Sequence, residues 1–449
     1  MIDRLSTPPF GERLPHVVVP PPGPRSRSLA GRLRAVESRN VTFVGERFPV
    51  FWDAARGANV RDVDGNEYLD LSAAFGVALA GHAHPRITER VAAQAAVLMH
   101  GMGDVHPPAL KLELLERLTA LAPWPDAQAV LATSGSEAVE IALKTALLAT
   151  GRAGVLAFSG GYHGLTAGAL AATDRELFRR PFERRLYGGV TRVRFPTERD
   201  KPAVAEAALE QVERALARRS GGDPVGAVVV EPIQGRAGVR VPPPGFLAAV
   251  AEKARAAGAL LVCDEVLTGF GRTGKLFAHE HHGVVPDLLC VGKAFGGGMP
   301  ISACLAPGRF MDAWPPSEGE AIHTSTFLGH PVACVAALAF LDVLADERLV
   351  ERAHALGELL RAGLASGLQR VDEIVEVRGR GLLIGVELAA SGSAVALAER
   401  ALRAGLIVLP AGDRGEVLQL TPPAVLTEAQ VDHTVDALVE RICLWTEER

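Results

Sequence analysis

The segment Gly292-Lys293-Ala294-Phe295-Gly296-Gly297-Gly298 comes directly after an apolar run at 288–291, and Asp264-Glu265 comes directly after another at 260–263. A lysine and a carboxylate, each at the exit of a buried strand, point to one shared crevice. A lysine held in an apolar crevice can lose its proton and attack a carbonyl. An aldehyde cofactor with a protonatable ring nitrogen needs both groups, the lysine for a Schiff base and the aspartate for the ring. Taken alone, Lys293 reads more simply as a solvated lysine in an ordinary turn. The run also has a superficial likeness to a P-loop. There, however, the lysine follows its glycines and precedes Ser or Thr, so a nucleoside triphosphate site does not fit.

Three more strand ends carry matching chemistry, and ligands of open α/β sheets bind outside the carboxyl ends of the strands. Thr133-Ser134-Gly135-Ser136-Glu137 opens a helix. Its free N–H groups and the hydroxyls of Ser134 and Ser136 make an anion cradle, with Gly135 allowing close approach. Plain helix capping by Ser134 or Ser136 is the simpler alternative. Ser159-Gly160-Gly161-Tyr162-His163-Gly164 sets an aromatic ring and an imidazole among glycines, in a chain with only 3 tyrosines. That ring could stack on a planar cofactor or merely anchor a loop. Glu231 ends the run 228–230 and is either a pocket carboxylate or an ion-pair partner. One molecule fits all these ends: pyridoxal 5′-phosphate, held by its phosphate, ring face, ring nitrogen and aldehyde.

The elements needed to position these residues are legible in the pattern. Short apolar runs at 129–132, 155–158, 227–230, 260–263 and 288–291 alternate with helical patterns at 137–150, 203–219 and 246–257, which predicts a mainly parallel sheet covered by helices. Asp64-Gly65 between 60–63 and 68–70 predicts a hairpin. Beyond residue 331 come helices at 331–346 and 348–369, strands at 373–377, 382–388, 405–409 and 416–420, and a helix over 427–446 with Thr427 as N-cap and Gln430 completing a capping box. The expected division is an arm and joining segment at 1–75, a large cofactor-binding domain at 76–330 and a smaller α+β domain at 331–449. Residues 1–28 read as an extended proline-rich arm.

Composition excludes several classes. With 449 residues, 47 Lys+Arg and 52 Asp+Glu, the net charge of −5 offers no basic field for nucleic acid. No apolar stretch spans a bilayer, and the N-terminus lacks a signal-peptide core. Five scattered cysteines lack metal spacing and read as reduced thiols, so a cytoplasmic protein without a metal is expected.

At this point the chain resembles the class III pyridoxal-phosphate-dependent aminotransferases, from about Trp52 to the last helix. The resemblance is carried by Asp62-Val63-Asp64-Gly65-Asn66-Glu67-Tyr68-Leu69-Asp70, Gly81-His82 with Pro85, and Ser134-Gly135-Ser136-Glu137-Ala138. It continues through Tyr162-His163-Gly164, Asp264-Glu265-Val266, Gly271-Arg272-Thr273-Gly274, Gly292-Lys293 to Pro300, His323-Thr324-Ser325-Thr326-Phe327 and Arg378-Gly379-Arg380-Gly381-Leu382. It implies fold type I: a mainly parallel seven-stranded sheet with helices on both faces, plus a smaller α+β domain. It implies that Lys293 forms the Schiff base and shuttles the substrate proton, and that Asp264 keeps the ring nitrogen protonated. Tyr162 and Val266 would flank the ring, with Ser134, Gly135, Ser136 and His163 among the cofactor-binding residues. Thr326 would reach the phosphate of a neighbouring subunit, making a homodimer with shared sites. The implied reaction moves an amino group from a small amine or amino acid donor to a 2-oxo acid or aldehyde.

The departures from the family pattern concern the substrate. Leu267 stands where many members have glutamine, Leu165 where 4-aminobutyrate enzymes often have arginine, and Gln419 where many have the arginine that pairs with the glutamate matching Glu231. Glutamine cannot reproduce a bidentate arginine–carboxylate pair. The expected pocket, with Phe75 and Leu165 near it, is therefore more apolar and less carboxylate-dependent, unless Arg236 or Arg380 substitutes. Racemisation, epimerisation or amino migration on the same fold is the alternative, because those reactions use the same lysine and aspartate. A dinucleotide loop at Gly379-Arg380-Gly381 fails on spacing, since a strand follows it.

Overall fold

The computed structural model describes residues 8–217, 219–220 and 222–448. The chain forms two compact units: residues up to 84 together with those from 352 onward, and residues 85–351. These divisions differ from the sequence boundaries after 75 and 330. The second difference has a plain cause: the apolar helix at 331–346 packs against the helix at 85–97 and stays with the larger unit.

The smaller unit begins with helix α1 (Pro24–Val36) and strands β1 (Trp52–Arg56), β2 (Asn59–Asp62) and β3 (Glu67–Asp70). The expected hairpin is present, with β2 and β3 antiparallel. Asp62 organises its turn, accepting from the Asp64 and Asn66 N–H groups at 2.9 Å each and from Tyr68 Oη at 2.7 Å. The arm is not extended to residue 28 as the prolines implied. Asp64 receives the Arg25 and Ser26 N–H groups at 2.7 and 2.9 Å, and a carboxylate at that position favours helix formation from Pro24. Residues 1–7 of the arm lie outside the described residues.

The larger unit opens with α2 (Pro85–Val97) and α3 (Ala109–Thr119). There follow β4 (Ala127–Ala132), α4 (Gly135–Thr150), β5 (Gly154–Phe158), β6 (Val190–Val193), α5 (Pro202–Ala217), β7 (Asp223–Val230), α6 (Phe246–Ala256), β8 (Leu260–Asp264), β9 (Leu288–Val291), β10 (Ser302–Pro307) and α7 (Pro331–Asp346). The sheet order is β4-β10-β9-β8-β7-β5-β6, with the pair Arg219–Ser220 joined to β7. The steps from β9 through β6 are parallel, while β10 is antiparallel to both neighbours. Side chains alternate across the sheet. Val155, Val229, Val262 and Cys290 join Ile141, Ala142 and Ala146 of α4 in one core. Phe158, of opposite parity to Val155, meets Phe246 of α6 edge-on at 6.0 Å on the other face. The sheet is thus covered on both faces, as fold type I requires.

Helix α8 (Leu349–Leu368) leads back to the smaller unit, followed by β11 (Ile374–Arg380), β12 (Leu383–Leu388), α9 (Ser393–Arg403), β13 (Leu406–Ile407), β14 (Leu409–Ala411), β15 (Val417–Leu420) and α10 (Glu428–Glu447). These complete two four-stranded sheets, β1-β2-β3-β13 and β11-β12-β15-β14. The capping box of α10 forms as expected: Thr427 Oγ1 accepts from the Gln430 N–H at 3.2 Å, and Gln430 Oε1 accepts from the Thr427 N–H at 3.0 Å.

Candidate active site

Lys293 and Asp264 leave adjacent parallel strands, with Cys290 of β9 in register with Asp264 of β8. Asp264 is 5% exposed. Its Oδ2 lies 2.8 Å from His163 Nδ1, and its Oδ1 accepts from the Val266 N–H at 3.1 Å. Burial alone would lower the basicity of the His163 imidazole, but the hydrogen bond and charge of Asp264 outweigh it and raise it. The contact with Asp264 thus favours the protonated form of the imidazole. Glu265, one residue on, faces away and accepts from Thr268 Oγ1 and His279 Nδ1 at 3.0 and 2.8 Å.

Burial lowers the basicity of the Lys293 amine, opposed by the charges of Asp264 and Glu231. A less basic lysine is a better nucleophile at neutral pH. Its backbone is left-handed at φ +46°, an uncommon and strained conformation for a residue with a side chain.

The N-terminus of α4 supplies the anion cradle. Ser134 Oγ caps the helix by accepting from the Glu137 N–H at 3.3 Å, so its hydroxyl takes the capping role anticipated as the alternative to ligand binding. The Gly135 and Ser136 N–H groups, in the first helical turn, have no partner within the helix. A Cβ on Gly135 would stand 2.6 Å from Val266 Cγ1, so the cradle and the strand end carrying Asp264 touch only because residue 135 lacks a side chain. Ser136 Oγ is 2.6 Å from Thr166 Oγ1 and accepts from the Thr166 N–H at 3.0 Å. Ser302 Oγ donates to the Ser134 carbonyl at 2.6 Å.

Tyr162 and Glu231 form the remaining wall. The two Glu231 oxygens accept from the Tyr162 N–H at 2.9 Å and the Gly235 N–H at 3.1 Å. Burial is the main reason that its carboxyl is pushed up to about 7, opposed by His163 and those two N–H groups. Tyr162 is half-buried and meets Phe178 edge-on at 6.0 Å. Leu165 is exposed on the same loop.

Three further residues were anticipated. Thr326 is exposed, and among the described residues no hydrogen bond joins it to the cradle. Phe75 and Gln419 belong to the smaller unit. Phe75 is 67% exposed and follows Ala73 and Ala74 in a run of non-glycine residues at positive φ, beside an Asp70 carboxylate that accepts from the Ala74 N–H at 2.8 Å. Gln419 is buried on β15, opposite Gly385. Sequence reasoning missed the His163–Asp264 contact and the roles of Thr166 and Ser302, because each partner lies on a different strand end.

Pyridoxal phosphate fits the residues of the larger unit. Gly135 and Ser136 can hold its phosphate, Asp264 its ring nitrogen and Lys293 its aldehyde, with Tyr162 and Val266 available for the ring faces. The close approach of Val266 to Gly135, which a Cβ would block, brings the cradle against the strand end that carries Asp264.

Comparison with known proteins points the same way. The model of the class-III aminotransferase family matches residues 42–442. The chain is 41% identical over 391 residues to the acetylornithine aminotransferase of Mycolicibacterium smegmatis, covering 87% of this chain and 93% of that protein. It is 36% identical over 418 residues to the 5-aminovalerate aminotransferase of Pseudomonas putida, covering 91% and 96%. The structure superposes with a TM-score of 0.84 and 29% identity on a PLP-bound amine transaminase from an uncultivated Pseudomonas species, covering 91% of this chain and 98% of that one.

Proposed function

Because this chain belongs to the class III aminotransferases, we propose that its amino donors carry the reacting amine at the end of a carboxylate-bearing chain. It is an aminotransferase, and its cofactor is pyridoxal 5′-phosphate. Bound, that cofactor supplies an electron sink for the pair left when a proton leaves the carbon bearing the donor's amine. Lys293 Nζ takes that proton and returns it during transfer to the acceptor. Asp264 would hold the ring nitrogen in its protonated form, and His163 positions Asp264. Gly135 and Ser136 would hold the phosphate, and Tyr162 and Val266 would flank the ring. Glu231 fixes the Tyr162 loop. The donor class draws support from relatives named for acetylornithine and 5-aminovalerate. Isomerisation, the alternative on the same fold, draws no such support from these names.

The reading rests on one observation above others: Lys293 and Asp264 at adjacent strand ends, with His163 behind the carboxylate. The working unit we propose is a homodimer in which Thr326 serves the partner's site. Exposed Phe327, next to Thr326 in sequence, and exposed Ile322, four residues before it, support such an interface. Five free cysteines support a reducing, cytoplasmic setting, and no described helix is long and apolar enough to cross a membrane.

In the test, wild-type protein loaded with cofactor shows a visible absorbance band that is lost on adding 5-aminovalerate, while Lys293→Ala gives neither the band nor turnover. A Lys293→Ala protein that still transfers amino groups at the wild-type rate refutes the assignment. Inversion of a pure amino acid enantiomer without any oxo acid formed supports isomerisation instead.

A further inference from the structure

We propose that Arg236, supported by Arg175, anchors a carboxylate of the amino donor distal to the reacting amine. The inference rests on the donor class proposed above. The chain has Leu165 and Gln419 where carboxylate-binding arginines were expected, which predicted a less carboxylate-dependent pocket. Arg236 revises that expectation, because the fold holds it beside Tyr162.

The turn after β7 is closed by hydrogen bonds between Gln234 and Arg240 at 3.0 and 2.9 Å, and by the Gly238 and Val239 N–H groups on the Gly235 carbonyl. Val239 is forced to φ +53°, which a β-branched residue tolerates only when the surroundings over-determine it. Glu231 grips this turn through Gly235 and the Tyr162 loop through Tyr162, while Gln234 Nε2 donates to the Ser159 carbonyl at 2.9 Å. The backbone of Arg236 is thereby fixed next to the aromatic wall of the site. Arg175 Nη1 donates to the Arg236 carbonyl at 3.3 Å, bringing a second guanidinium to the same place. Both guanidiniums act on the Tyr162 phenol, and burial and Arg175 together lower the basicity of Arg236. Like charges gathered in a half-buried position favour an anion there. Apart from Arg175, the segment 174–186 carries four arginines against Asp174, Glu176 and Glu183, 4 − 3 = +1, in a chain of net −5.

The cofactor phosphate is served elsewhere. Its cradle at the start of α4 follows β4, whereas Arg236 follows β7, four strands along the sheet order. A guanidinium matches a carboxylate with two parallel hydrogen bonds, which a lysine cannot reproduce.

The test compares 5-aminovalerate with 1-aminopentane, which has the same chain without the carboxylate. Single-turnover loss of the cofactor's visible band gives the rate constant for each donor without any acceptor. Binding of valerate, which has no amine, to the loaded enzyme is measured by calorimetry. Arg236→Gln should lower the 5-aminovalerate to 1-aminopentane ratio by about 10- to 100-fold and weaken valerate binding by a similar factor. Arg236→Lys should recover part of the ratio. An unchanged ratio, an unchanged valerate Kd, or a fall in cofactor affinity that accounts for the whole loss overturns the proposal. If wild-type enzyme reacts with neither donor, the donor class above is wrong, and valerate binding alone decides the role of Arg236.

Discussion

Substituting Gly135 tests how closely the phosphate cradle is fitted to the rest of the site. A Cβ at this position would lie 2.6, 3.0 and 3.4 Å from Val266 Cγ1, Cγ2 and Cβ. Rotating Val266 about χ1 can vacate only one of the two methyl positions and leaves Cβ in place, so no rotamer clears the space. Overpacking of this kind costs about 1–3 kcal/mol. Replacing glycine by alanine in a helix returns at most about 1 kcal/mol, and less in the first turn. The remainder must be relieved by moving Val266, whose N–H donates to Asp264 Oδ1 at 3.1 Å. The disturbance therefore reaches the carboxylate assigned to the ring nitrogen. We expect Gly135→Ala to weaken cofactor binding by about 10-fold, equivalent to about 1.4 kcal/mol. Titrating the cofactor into Gly135→Ala, Val266→Ala and the double variant by visible absorbance separates steric conflict from other losses. Because Val266→Ala removes both clashing methyls, the double variant should bind more tightly than the sum of the single losses allows, by about 1–2 kcal/mol. Simple addition of the two losses, or native affinity in Gly135→Ala, refutes the reasoning.

Other outcomes follow from the same structure. The Glu231 carboxyl is pushed from 4.5 to about 7, mainly by burial, so between those pH values the folded chain holds a proton that the unfolded chain has lost. Stability should therefore fall as pH rises through this window, by about 3 kcal/mol in full. In Glu231→Gln that contribution disappears, so urea midpoints of the two proteins should diverge between pH 5 and pH 8; a pH-independent gap contradicts it. Thr427→Ala should cost about 1 kcal/mol by removing the cap of α10, read as a lower thermal midpoint, with no change in the cofactor band.

Much of the larger unit was legible because its signals are local. Apolar runs of strand length, helical periodicity and the Thr427 capping box each lie within a few neighbouring residues, and the structure has these elements at nearly the expected places. Strand β10 escaped notice because Ser302-Ala303-Cys304-Leu305-Ala306-Pro307 has no β-branched or aromatic residue. Its extended form comes from pairing with β4 and β9 on either side. The start of α1 likewise depends on Asp64, 38 residues away from Ser26.

By itself the sequence determined the residue types at the strand ends, and with them the chemistry available: a lysine, an aspartate, a glycine-led helix start and an aromatic ring. Only the tertiary structure decided which of these groups meet. His163 lies 101 residues from Asp264 and Tyr162 lies 69 from Glu231, yet each pair is joined by a hydrogen bond. The reason is physical. Caps and periodicity arise from interactions within a turn or two of backbone. The register of neighbouring strands is set by the burial of whole faces and brings the strand ends of Lys293 and Asp264 together, while Glu231 ties the turn of Arg236 to the Tyr162 loop.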